Sequence, residues 1–395
     1  MNMLIIGNGF DLAHGRPTTY ADFLQFLSSV QYAQQFGYKD KRSTAIKLEK
    51  DCPQAKEYLL LSLEIRRVSF GKVVNSNYNI QEILNYLDMN IWFEYFKWIK
   101  RKNLIKGRNW IDFELEIREI IEFFDHDIGN IYDTVSAPKA GISSDTEKVR
   151  HFWLLFSQKV KSDSLSKYTW SDFVNITYHD LEHLVRCLEI YLDDCVVKML
   201  LEKYSPDIKQ LNIDFVLSFN YTEIPTDIYP SLKNAHYIHG HAHAQYPASE
   251  NNMVLGVNEY WDDSEKDSRT NFNCYKKFVQ RIIKETGIDY KRALYYMRSA
   301  ENKRKTVLES KNADSQYMNH IYIFGHSLDV TDGDILREII ETDDTDTTIF
   351  YKDKQQQANQ IANLSKVLGQ DELLKRTFSI SPTIIFKKQA DMKEL

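Results

Sequence analysis

Residues Met3-Leu4-Ile5-Ile6 form a short apolar run ending in Gly7-Asn8-Gly9, and strand-like patterns do not return until residue 214. Four apolar residues closed by a glycine turn read as a buried strand with a tight exit. After Pro17, Thr18 or Thr19 can cap a helix that carries Tyr20, Phe23, Leu24 and Leu27 on one side. Residues 54–68, 79–102, 110–125, 146–161 and 178–204 then space Leu, Ile, Phe, Trp and Tyr with a helical period. A loop from Ser136 to Ser144 interrupts this block. Period-two patterns follow at Asp214–Ser218, His236–His239, Met253–Gly256, His320–Phe324, Thr348–Tyr351 and Thr383–Phe386, with helical patterns around 333–341 and 355–368. A lone first strand, a helical block and then alternating strands and helices imply one parallel α/β sheet interrupted by an insertion. The expected organisation is residues 1–30 as the first strand, turn and helix, 31–208 as a helical insertion, and 209–395 as the remainder of the α/β core.

Charge and composition exclude several classes. The 395 residues carry 50 basic and 56 acidic side chains, a net charge of −6 that recommends neither DNA nor an anionic membrane as partner for the whole surface. At 13% aromatic residues the chain is not disordered. Cys52, Cys187, Cys195 and Cys274 contain no C-x-x-C pair for zinc or redox work. The start lacks the charged and apolar regions of a signal peptide, and no stretch of about 18 apolar residues occurs. A cytoplasmic protein with no membrane contact is the expectation.

Five segments can carry chemistry. Gly7-Asn8-Gly9-Phe10-Asp11, with Gly15-Arg16-Pro17, lets backbone amides approach a pyrophosphate without a Cβ in the way. The spacing is not G-x-G-x-x-G, and a tight strand exit explains the glycines equally well. Ser218-Phe219-Asn220-Tyr221-Thr222 lies just past a strand, where an Asn amide can orient a ribose or a water, or simply make a turn. His236-Tyr237-Ile238-His239-Gly240-His241-Ala242-His243 places three histidines two apart. They permit a metal site, but no acidic residue is near in sequence, and His239 alone suits a general base with its ordinary pKa near ~6.5. Phe324-Gly325-His326-Ser327-Leu328-Asp329, then Asp332 and Asp334, can bind a ribose edge or begin the next helix. Trp110-Ile111-Asp112-Phe113-Glu114 offers two carboxylates that converge only at a helix start.

In this order, these segments resemble the AbiH family of bacteriophage abortive-infection proteins. The opening from Gly7 through Asp11-Leu12-Ala13-His14-Gly15-Arg16-Pro17-Thr18-Thr19-Tyr20 is similar to that family's signature. Trp110-x-Asp112-x-Glu114, Phe219-Asn220-Tyr221-Thr222, His239-Gly240 and Gly325-His326-Ser327-Leu328-Asp329 follow in order, over roughly 1 to 390. The set is also similar to the wider sirtuin group. That resemblance implies a Rossmann-like fold, NAD as ligand or substrate, and Asn220 and His239 as catalytic residues. Taken together, the two resemblances place Gly7, Asn8, Gly9, Phe10, Asp11, Pro17, Thr18, Tyr20, Gly325, His326, Ser327 and Asp329 against the nucleotide, with Asp112 and Glu114 as accessory residues and no metal. The chain departs from the sirtuin pattern in Thr18-Thr19-Tyr20, in Thr222 where that group has an acid, and in lacking the four-cysteine zinc module. The implied activity is therefore NAD hydrolysis on infection, by a homo-oligomer answering a phage-derived trigger or a partner defence protein. The alternatives are a non-catalytic nucleotide sensor and a metal-dependent hydrolase or nuclease.

Overall fold

The computed structural model describes residues 1–64, 66–69, 72–75, 77–102, 112–128, 131–137, 144–261, 269–309 and 319–395. They divide into two compact units. The first comprises Met1–Pro17, Leu200–His241 and Glu285–Leu395, and the second Thr18–Met199 and Ala242–Lys284.

The first unit is built on six strands: β1 (Asn2–Ile6), β2 (Phe215–Ser218), β3 (Ala235–Tyr237), β4 (Asn319–Phe324), β5 (Thr345–Tyr351) and β6 (Ile384–Lys388). All pairings are parallel and the order is β3-β2-β1-β4-β5-β6, so sequence order reverses at β1. The opening strand is thus central, with Leu4 set between Val216 and Tyr322. Centrality explains the continuous apolar run, because a strand covered on both faces must be apolar at both parities. Met3 and Ile5 enter one core with Leu217, Ile323, Leu336 and Leu364. Leu4 and Ile6 enter the opposite core with Phe10, Val216, Tyr229 and Leu232.

The second unit is mainly helical. Its helices include Tyr20–Phe36, Tyr78–Leu87, Ile91–Lys102, Phe113–Asp127, Ser144–Lys159 and Trp170–Tyr191. Stacked rings fill its core, Phe96 lying parallel to Phe113 with centroids 3.9 Å apart. Burial pushes the thiols of Cys52 and Cys274 up to about 12, so both are inert at neutral pH. No helix among the described residues is long and apolar enough to cross a membrane.

Several expectations are corrected. The boundary at residue 30 falls inside Tyr20–Phe36, because the helix starts at a capping box: Thr19 Oγ1 accepts the Asp22 N–H, and Asp22 Oδ2 accepts the Thr19 N–H, both at 3.1 Å. The helical pattern over 79–102 splits at Asp88–Asn90. Asn90 Oδ1 there accepts the Phe93 N–H at 3.0 Å and Asp180 Oδ2 accepts the Ile91 N–H at 2.8 Å, starting a new helix. The pattern over 178–204 ends as a regular helix at Tyr191, followed by a wider turn, Leu192–Val196. Met253–Gly256 joins no sheet and lies in the helical unit. Its backbone is satisfied instead by the Gln280 amide, which donates to Leu255 O at 3.1 Å, and an isolated bridge pairs Val257 with Lys276. Trp110 and residues 138–143 of the expected loop lie outside the described residues.

Candidate active site at the carboxyl edge of the sheet

Because the strands are parallel, the segments after β1, β2, β3 and β4 leave the same edge of the sheet. In open parallel sheets this edge, where the strand order reverses, is where ligands bind. The Gly7–Pro17, Phe219–Thr222, His239–His241 and Gly325–Asp332 segments all start there and all belong to the first unit.

Close packing explains the glycines. Gly9 donates its N–H to Gly325 O at 2.8 Å, and Gly7 donates to Phe324 O at 3.3 Å. A Cβ on Gly9 would lie 2.7 Å from both Cα and O of Gly325. The two strand exits are therefore in backbone contact, and the amides of Gly7 and Gly9 already serve protein carbonyls. Gly325 has φ +69, a region that favours glycine. Leu328 also has positive φ (59), and its N–H donates to His326 Nδ1 at 2.9 Å. That bond leaves the proton of a neutral His326 on Nε2.

Asp11 organises one half of the cluster. It sits in the short helix Asn8–Ala13 and is buried. Its Oδ1 accepts from Arg16 Nη1 at 3.0 Å, and its Oδ2 accepts from Asn220 Nδ2 at 2.9 Å and from Thr222 Oγ1 at 2.6 Å. Arg16 also donates to Glu223 O at 2.8 Å, tying this helix to the segment after β2. Burial raises the Asp11 carboxyl above the usual range, opposed first by Arg16 and then by the Thr222 hydroxyl. Because Asp11 takes the amide nitrogen of Asn220, the amide oxygen faces the other way, and this buried oxygen has no hydrogen-bond partner among the described residues. Such an acceptor costs about 1–3 kcal/mol unless something donates to it.

The other half is imidazole and carboxylate. His239 Nε2 lies 3.3 Å from Asp332 Oδ1, and His326 Nε2 lies 3.7 Å from Asp332 Oδ2. The first is not an aligned hydrogen bond and the second is too long for one. The Phe219 ring stands edge-on to both imidazoles, 5.5 Å from His239 and 4.4 Å from His326. The acid that is missing near His239 in sequence is thus supplied by Asp332, from the loop after β4. No local pattern pairs residues so far apart; the only signal is that both follow strands of one parallel sheet.

The structure distributes the remaining candidates. Asn8 and Ser327 are exposed and Phe10 is buried. Asp329 Oδ1 accepts the Thr331 N–H at 3.1 Å, capping its own turn. Pro17 ends the first segment of the sheet unit, whereas Thr18, Tyr20, Asp112 and Glu114 belong to the helical unit. There Tyr20 stacks on Phe113 at 4.2 Å, Asp112 accepts the Leu115 N–H at 3.2 Å, and Glu114 pairs with Lys277 at 2.8 Å. Of the histidine run, His241 stacks on Tyr237 at 4.7 Å, and His243 lies in the helical unit.

Behind Asp11, His14 is buried and neutral. Its Nδ1 donates to Phe10 O at 2.7 Å, and its Nε2 accepts from the Tyr229 hydroxyl at 2.6 Å. Phe10 O can only accept, which fixes these roles in the neutral ring, and Tyr229 also accepts the Ser205 N–H at 2.6 Å. Burial lowers the His14 pKa below 6.5. Between that lowered value and 6.5 the unfolded chain binds more protons, so this contribution is complete above 6.5 and is lost as pH falls. His14→Gln should therefore flatten the acid-side loss of stability relative to wild type, by up to about 1.4 kcal/mol per pH unit. Urea midpoints at pH 7 and 5.5 measure this difference, and parallel curves would contradict it.

The sheet and its edge define a parallel α/β protein with a buried carboxylate, amide and imidazole cluster at the carboxyl ends of its central strands. A family model described as bacteriophage abortive infection AbiH matches residues 3–353, and the chain belongs to that family. No curated protein and no solved structure matches the chain.

Proposed function

We propose that this protein is an anti-phage abortive-infection effector whose carboxyl-edge cluster binds NAD and hydrolyses its nicotinamide–ribose bond. The observation that carries this reading is that Asp11 holds Asn220 and Asp332 lies against His239, with Phe219 linking the two pairs at one sheet edge. The strand order β3-β2-β1-β4-β5-β6 is that of the Rossmann dinucleotide-binding sheet, which supports a Rossmann-like assignment and a nucleotide at this edge. Family membership supports the abortive-infection role.

The residues divide the work by their chemistry. Cleavage of the bond builds positive charge on the ribose, which a nearby carboxylate stabilises. His239, paired with Asp332, takes a proton from a ribose hydroxyl or from water. Asn220, its nitrogen held by Asp11, accepts a hydrogen bond from that hydroxyl or water through Oδ1. Phe219 walls the imidazoles. Asn8, Ser327 and Asp329 meet the phosphates and ribose, since the amides of Gly7 and Gly9 are engaged by carbonyls. Asn220 is 5% and His239 4% exposed, so turnover requires the cluster to open, as expected of a toxic enzyme that waits for infection.

The test is direct. Purified protein is incubated with NAD, with and without extract of phage-infected cells, and nicotinamide release is followed chromatographically. Release dependent on the infected extract is expected. If NAD is stable in both mixtures and in infected cells, hydrolysis is wrong. Binding without turnover would favour the sensor, for which Thr222 in place of an acid already speaks.

A further inference from the structure

We propose that His179, Asp180 and His183, on the helix Trp170–Tyr191, form a binding site for a divalent transition-metal ion of the zinc or nickel class. His179 and His183 are one helical turn apart, so their side chains share a face, and their ring centroids are 4.0 Å apart. One ligand atom from each of the three residues lies within 4.8 Å of the others, a spread that small side-chain rotations close onto a single ion. Imidazole nitrogen with a carboxylate oxygen is a donor set that suits zinc and nickel, and three protein ligands leave room for water.

The surroundings prepare these donors. The buried Asp180 carboxylate is oriented by the Ile91 N–H, which donates to Oδ2 at 2.8 Å. Tyr86 stacks on His183 at 3.9 Å and fixes its ring plane. His179 is exposed and provides an entry.

A cation already occupies part of the site. Lys159 Nζ lies 2.6 Å from Asp180 Oδ1 and 2.9 Å from Oδ2, and also donates to Met89 O at 3.1 Å. The ammonium pairs with the carboxylate but, unlike a metal ion, offers the imidazole lone pairs no coordination site. A metal ion serves all three at once, and the partly exposed Lys159 stem can carry its charge out to water. Lys159 is therefore the competitor, and its removal should strengthen binding.

The experiment titrates Zn²⁺ into the metal-stripped full chain by calorimetry, with Co²⁺ absorption reporting the ligand geometry. One equivalent should bind. His179→Ala and His183→Ala should each weaken binding at least about tenfold, no less than loss of an outer-shell partner costs, and His151→Ala, whose ring stacks on Trp98 instead, should not. Lys159→Met should tighten it several-fold. Zn²⁺ should also protect His179 from carbethoxylation in the unaltered chain, a readout independent of how the variants fold. No binding by the wild type, or binding unchanged in both histidine variants with His179 unprotected, overturns the proposal.

Discussion

His239→Ala should lower NAD turnover at least about 10²-fold and abolish protection against phage, with the fold retained. A positioned acid or base contributes about 10²–10⁴-fold, and His239, at 3.3 Å, is the nearer of the two imidazoles beside Asp332. Asp332→Asn should fall between wild type and His239→Ala, because Asp332 acts through the imidazole rather than on substrate. The pH profile separates the two roles: losing the carboxylate should shift the acid limb of turnover, whereas losing the imidazole should remove it. Initial rates of nicotinamide release across pH 5–9, with plaque counts for each variant, provide the measurement. Full protection by His239→Ala, with unchanged NAD consumption, would remove this histidine from the mechanism. Protection retained without any NAD loss would favour the sensor instead.

Gly9→Ala should destabilise the protein by about 3 kcal/mol or more, the upper part of the range for overpacking. The new Cβ would stand 2.7 Å from the backbone of Gly325, and neither neighbour is a flexible side chain able to turn aside. Relief requires the exits of β1 and β4 to separate, breaking the Gly9 N–H bond to Gly325 O. Gly15→Ala is the contrast: no atom lies within 4 Å of its Cβ position, so only the strain of φ +79 is added. Urea unfolding of the three proteins orders them as wild type, Gly15→Ala, Gly9→Ala. Equal stability of the two variants would mean that the glycine turn is not a packing contact. The same contact shows why a Gly-x-Gly turn is ambiguous in a sequence. Absence of a Cβ serves a phosphate or a neighbouring backbone equally, and here the neighbour is Gly325.

Much of the architecture was legible. Most strands after 214 and the parallel class follow from side-chain periodicity, which is local: a strand buried on both faces is apolar throughout, and an amphipathic helix repeats each turn. Met253–Gly256 misled for the same reason, since three buried apolar side chains in a row look like a strand even when a glutamine amide satisfies the backbone. The helix break at Asn90 escaped notice because one of its caps, Asp180, is remote in sequence.

By itself the chain's order of residues determined which segments extend, which coil, and that glycine, asparagine and histidine stand at strand ends. Tertiary structure alone decided that β1 lies at the centre, that Asp11 grips the nitrogen of Asn220, and that Asp332 comes to His239. The reason is physical: periodicity is written over a few neighbouring residues, whereas the pairing of a buried charge depends on which distant segments the sheet brings to one edge.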